Sequence, residues 1–144
     1  LAFMQELLAS RDERLAAIAA KTVKESRYHL RRSRDWMLRL GDGTEESHGR
    51  LQRALDELWG YTPELFEMDA LETSLAAAGV AVDSKALRPA WERAVRDTLA
   101  EATLVMPSGD WSVRGGREGL HTEYLGHLLS DLQFMQRAYP GLEW

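Results

Sequence analysis

Thirty residues, Arg11 to Leu40, run on without a glycine or proline until Gly41-Asp42-Gly43 stops them. Alanine, leucine, arginine and glutamate dominate the stretch, and all favour helix. At 1.5 Å per residue, a helix over 11–40 is about 45 Å long. That is long for an isolated helix and natural for a bundle. No segment alternates β-branched with polar residues as a strand would. The remaining punctuation continues the helical theme. Ser10, three residues before Glu13, has capping-box spacing. Thr44 caps a second helix with Glu45 and Glu46 in its first turn, ending near Gly60. Thr62-Pro63 opens a third, closed by Gly79. Val80-Ala81-Val82 links to a fourth, which starts at Asp83 or Ser84, holds Pro89 and runs to about Leu104. A glycine-rich loop over 107–119 contains Trp111. A last helix spans about Leu120 to Tyr139, stopped by Pro140-Gly141, and residues 1–9 read as the tail of another helix.

Composition narrows the functional classes. The 144 residues are 44% hydrophobic and 28% charged, an ordinary globular balance. The longest apolar runs, such as Leu15 to Ala20 and Leu75 to Val82, are too short to cross a bilayer, so no membrane role is expected. The absence of cysteine excludes a disulfide scaffold, zinc ribbons and thiol nucleophiles, and fits a cytoplasmic location. A net charge of −5 argues against a nucleic-acid partner. The chain starts at Leu1 with no charged leader, which predicts that N-terminal helices of a longer bundle precede it.

Charge is concentrated on the long helix. Lys21, Lys24, Arg27, Arg31, Arg32, Arg34 and Arg39 stand against Glu25 and Asp35, a local net of +5. Such a run is either a solvated face or a docking face for an acidic partner or a phosphate-bearing ligand. Wound at 100° per residue, Leu15, Ile18, Thr22, Trp36 and Leu40 share a stripe with Glu25, His29 and Ser33. The stripe predicts an acid and an imidazole turned toward the core. A buried carboxylate requires a cation, hydrogen-bond donors or a metal. Di-iron carboxylate bundles draw on Glu-x-x-His pairs. Here Tyr28 holds the i+3 position and His29 follows at i+4. Both a metal-free polar cluster and a metal site are open. If Glu25 is buried, Glu25→Ala should disturb folding or assembly rather than remove a catalytic group.

Other chemistry-bearing residues are less pointed. Glu45 and His48 match Glu-x-x-His literally, but in a hairpin turning near residue 42 they lie about 10 Å or more up the axis from His29. Glu45 then reads as an acid opposing the helix dipole and His48 as a histidine at the bundle end. Glu123 and His127 share a helix side away from the Tyr124, Leu128, Leu132, Met135 stripe and read as surface groups. His121 is expected to bond a backbone group. Gly115-Gly116-Arg117-Glu118-Gly119 lacks the lysine and hydroxyl of a phosphate loop, and no serine sits in a nucleophile elbow. The tryptophans and methionines read as core or interface.

Two stretches carry a resemblance. One is Lys24-Glu25-Ser26-Arg27-Tyr28-His29-Leu30-Arg31 with Trp36 and the Leu40-Gly41-Asp42-Gly43-Thr44 turn. The other is Arg114-Gly115-Gly116-Arg117-Glu118-Gly119-Leu120-His121-Thr122-Glu123-Tyr124-Leu125-Gly126, continuing through Gln133, Gln136-Arg137 and Pro140-Gly141 to Trp144. Together they resemble the C subunits of bacterial ring-1,2-phenylacetyl-CoA epoxidases, in the phenylacetic acid degradation family. The resemblance implies an all-α, ferritin-like helical bundle. It makes residues 1–144 the C-terminal part of a single such domain, with Trp144 the natural C-terminus. It implies a non-catalytic structural subunit with no cofactor of its own. Its partner would be a related catalytic subunit that carries di-iron and substrate, completed by a small B subunit and an NADPH-dependent reductase. Glu25 then matches a former ligand position and Tyr28 stands at a spoiled one, leaving Glu25 and His29 as a vestigial site. Arg27, Arg31, Arg34, Trp36 and Trp111 are the candidate partner-binding residues. An independent di-iron oxygenase or ferroxidase is the competing reading, and a helical protein with an unrelated binding role is a third. In isolation the chain is expected to self-associate through an uncovered apolar face.

Overall fold

A computed structural model describes residues 1–143; Trp144, expected to be the natural C-terminus, lies outside them. The described residues form six α-helices, two 3₁₀ turns and no strand. None of these helices is long and apolar enough to cross a membrane. The chain divides into two compact units, Leu1–Ser112 and Val113–Trp144.

The first unit is built on α2 (Glu13–Gly41), the helix announced by the unbroken stretch. Its cap is Asp12, whose carboxylate accepts from the amides of Arg14 and Leu15 at 2.9 and 3.0 Å. Ser10 is therefore not the cap. Its hydroxyl donates to the Val80 carbonyl at 2.6 Å, tying the start of α2 to the 80–82 link. Helix α1 (Ala2–Leu7) and α3 (Glu45–Trp59) pack against α2. Thr44 caps α3 as expected, with Ser47 completing the reciprocal pair.

The expected single helix after Thr62 is instead two pieces, a 3₁₀ turn over Thr62–Phe66 and α4 (Ala70–Ala77). The physical reason is Asp69. Its side chain accepts from the Glu72 amide at 2.7 Å while Glu72 accepts from the Asp69 amide at 3.0 Å. That box starts a new helix and breaks the old one. Helix α5 (Ser84–Glu101) is capped by Asp83 and crosses α2 and α1.

The packed face of α2 differs from the expected stripe. Ala19, Val23 and Gly41 are buried and Met37 and Leu38 half-buried, and of the expected stripe only Leu15 and Thr22 are partly covered. Ile18, Trp36 and Leu40 are exposed, as are Glu25 and His29. The covered face lies about 80° round the helix from the expected one. On this face Gly41 lets a neighbouring backbone approach, while Leu15, Val23 and Met37 supply the apolar packing.

Two clusters make the core. Leu7, Ala19 and Val82 meet at one end, flanked by Met4, Leu15 and Leu87. Leu99, Ala102 and Leu104 meet at the other, flanked by Met37, Leu38, Leu51, Leu55, Val95 and Met106. Between α2 and α5 the approach is backbone to backbone. A Cβ on Gly41 would collide with the Ala102 carbonyl, with the Ala102 Cβ only 2.9 Å away. The freed Gly41 carbonyl accepts from His48 Nδ1 at 2.8 Å and from the Thr103 hydroxyl at 3.2 Å. Thr103 itself turns left-handed, with φ +59°, to end α5, and the Leu104 amide closes back on the Leu99 carbonyl at 2.9 Å.

The second unit holds a 3₁₀ turn, Gly116–Glu118, between two left-handed glycines, and α6 (Glu123–Ala138). Along α6, Tyr124, Leu128, Leu132 and Met135 are exposed, with Tyr124 at 73%.

Gly41→Ala should cost roughly 1–3 kcal/mol by overpacking against backbone that cannot yield. Gly49→Ala, at a helical site whose nearest neighbour is the Arg53 guanidinium at 3.8 Å, should gain about 1 kcal/mol of helix propensity. Urea unfolding of both variants checks the opposite signs.

Candidate functional site

The middle of α2 carries the acid and imidazole. Spacing of four residues places both on one side of the helix, and His29 Nε2 lies 3.4 Å from Glu25 Oε1. Both side chains are open, at 65% exposed for His29 and 73% for Glu25. The expectation that they turn into the core is thus corrected. They sit on the uncovered side of α2, and no burial compels a partner for Glu25. An exposed pair of this kind contributes little to stability. Tyr28 stands beside them, its ring edge-on to the imidazole at 5.8 Å. Among the described residues no three His, Asp or Glu side chains converge as a metal site would require.

Around this pair lies the cationic face. Lys21, Lys24, Arg27, Arg31, Arg32, Arg34 and Arg39 are all exposed. Arg34 pairs with Glu101 across to α5. Arg31 lies over the Tyr28 ring at 5.7 Å, and Trp36 is flanked by Arg32 at 5.3 Å and Arg39 at 5.8 Å. These contacts are cation–π interactions, each worth about 0.5–1 kcal/mol where exposed. The face therefore alternates guanidinium and ring rather than charge alone.

Trp111 is placed differently. Its ring lies on Gly60, where any Cβ would strike it, and meets Tyr61 edge-on at 5.7 Å. It packs within its own unit while 43% exposed. Glu45 sits in the first turn of α3, and His48 bonds the Gly41 carbonyl, so the literal Glu-x-x-His over 45–48 works as helix architecture. Glu123, His127 and His121 are exposed.

Two features went unseen in the sequence. An apolar groove of about 540 Å³ runs between α2, α3 and α5, with Met37, Leu55, Leu58 and Val95 in its walls and Arg34 and Asp97 at its edge. Beside it, Trp59 and Trp91 meet at a tilt with centroids 5.8 Å apart, and Phe66 meets Trp91 edge-on at 5.3 Å. Thirty-odd residues separate Trp59 from Trp91 along the chain, so no local periodicity announces the pairing.

Comparison with known proteins matches residues 1–144 to a family model described as "Phenylacetic acid catabolic protein". The chain is similar to the C subunit of the 1,2-phenylacetyl-CoA epoxidase of Escherichia coli (strain K12), at 47% identity over 144 residues. That alignment takes in 100% of this chain and 58% of the relative's length.

Because Glu25 is exposed and only loosely paired, Glu25→Ala should change the unfolding free energy of this chain by less than about 0.5 kcal/mol. Chemical denaturation with matched slopes would show it, and a loss of about 2 kcal/mol or more would restore the buried-acid reading.

Proposed function

The chain belongs to the phenylacetic acid catabolic protein family, whose fold is ferritin-like, and from that membership we propose that it serves as a non-catalytic structural part of a phenylacetyl-CoA ring epoxidase. Its partner in this reading is a related ferritin-like subunit that holds the di-iron centre and the substrate. A small B subunit and an NADPH-dependent reductase complete the assembly, in the cytoplasm. The Escherichia coli relative is itself one subunit of an epoxidase, which supports a multi-subunit setting.

One observation carries the proposal. Among the described residues twenty-three large hydrophobic side chains are exposed, while only eight apolar residues are buried, none of them large and fully enclosed. A chain of this length ordinarily buries far more of its apolar surface. Surfaces so composed are made to be covered by further helices, those of the remainder of the same protein and those of a partner, and obligate interfaces resemble a core cut in half.

The donor set bears on iron directly. Di-iron bundles use a glutamate from each of two helices and a Glu-x-x-His from each of two others. Here α2 offers one exposed acid and one imidazole at the wrong spacing, with Tyr28 between them. These residues do not fit a dinuclear centre.

The test is coexpression of the full-length protein with the catalytic subunit. The expected result is a stable hetero-oligomer, with iron in the partner and turnover that needs both chains. Stoichiometric iron with oxidase activity in the isolated protein would overturn the proposal. Reversing Arg31 and Arg32 together to glutamate should weaken association by about three- to tenfold, mostly through a slower on-rate that salt masks. Surface binding kinetics at two ionic strengths would read this out.

A further inference from the structure

Gly60 is not required by its own backbone. It ends α3 at φ −64° and ψ −11°, a conformation open to any residue. The space that a side chain would take there is filled from another segment. A Cβ on Gly60 would strike the Trp111 ring. Tyr61 meets the same ring edge-on at 5.7 Å. A missing methyl and a ring edge thus form a notch that seats Trp111.

The segment that ends in this ring begins at a clamp. The Val105 amide donates to Gln52 Oε1 at 2.9 Å, and Gln52 Nε2 donates back to the Val105 carbonyl at 3.0 Å. Nε2 also donates to Asp56 Oδ1 at 3.0 Å, which fixes the side-chain amide. Met106 packs on the cluster of Leu99, Ala102 and Leu104. From Gln52 to Gly60 is about 12 Å along α3, and residues 105–111 bridge that distance. Between clamp and notch, no hydrogen bond ties residues 107–110 to the rest of the described residues. The Ser108 hydroxyl donates within the segment, to Asp110 Oδ2 at 2.6 Å. Behind it lies a pocket of about 130 Å³, lined by Gly109 and Trp111 together with Trp59, Phe66 and Trp91.

We propose that residues 107–111 form a lid, hinged at the Gln52–Val105 clamp and latched by the Trp111 ring on Gly60. It opens to uncover the cluster of Trp59, Phe66 and Trp91 while α3 and α5 stay folded. The two ends are unequally held. The hinge has two hydrogen bonds and a packed methionine, whereas the latch is one ring that is still 43% exposed. Segments with few covered contacts open at lower free energy than the core, so the latch yields first. The lid is independent of the scaffold role, and failure of either leaves the other in place.

The experiment compares the full-length protein with Gly60→Ala, Trp111→Ala and the double variant. It follows subtilisin cleavage within 107–111, hydroxyl-radical labelling of Trp59 and Trp91, and hydrogen exchange at the Val105 amide. Gly60→Ala fills the notch at a conformation that alanine accepts, so it releases the latch. Cleavage should then be about tenfold faster, as when a local opening equilibrium loses one coupled contact. Labelling of both tryptophans should rise, and Val105 exchange should stay unchanged. Trp111→Ala should do the same, and adding Gly60→Ala to it should change nothing further. If Gly60→Ala fails to fold, the same three readouts on Trp111→Ala decide, because that ring is at the surface. Unchanged cleavage and labelling overturn the proposal. So does an equal rise in Val105 exchange, or a Gly60→Ala effect that persists without the Trp111 ring.

Discussion

The close approach of Gly41 to Ala102 governs the arrangement of the first unit. With no Cβ on Gly41, the ends of α2 and α5 meet backbone to backbone. That contact sets Leu99 and Leu104 against Met37, Leu38 and Leu51. It also leaves one carbonyl at the end of α2 within reach of two other segments. His48, on the next helix, donates to it, and so does Thr103, in the turn that ends α5. A carbonyl can only accept, so the His48 proton resides on Nδ1. Thr103 adopts a left-handed conformation that ordinarily costs a β-branched residue about 1–2 kcal/mol. Its hydrogen bond to Gly41 and the burial of Leu104 that the turn permits offset that cost. One glycine thus joins the exit of α2, the entry of α3 and the exit of α5.

Much of this was legible beforehand, and the parts that were not share a cause. The unbroken stretch to Leu40, the Thr44 cap, Gly79 and Asp83 all act locally, and each lies where local chemistry predicts. Ser10 misled because its spacing to Glu13 suits a cap, while a carbonyl seventy residues away claims its hydroxyl. The third helix misled because Pro63 starts a helix well, but Asp69 starts one better, and an N-cap residue cannot also be helical interior. The face of α2 misled by about 80° because large apolar residues dominate a pattern read from sequence. The packed side also includes Ala19 and Gly41, and at Gly41 the contribution is the neighbour it admits.

The same limit applies to the candidate site. The Glu25–His29 spacing and the cationic run were visible, and the structure brings both to the outside of α2. What sequence periodicity does not contain is which side of a helix its neighbours take. The tryptophan pocket was invisible for a different reason. Its walls come from α3, the 3₁₀ turn, α5 and the loop after it, and only tertiary packing assembles them.

Trp36 shows how the exposed face of α2 can present apolar surface to water without collapsing on itself. Its ring is large, aromatic and 43% exposed, which alone would favour indiscriminate sticking. Arg32 and Arg39, four residues before and three after, bring their guanidinium carbons to 5.3 and 5.8 Å from its centre. The planar cation is weakly hydrated, so it lies over a ring at small desolvation cost while its N–H groups still face solvent. A purely apolar partner would have to strip those cations away. A partner that brings carboxylates to the fork and an apolar side chain to the ring satisfies both at once. The Arg32–Trp36–Arg39 unit therefore presents cation and ring together as one mixed surface, in place of a bare exposed ring.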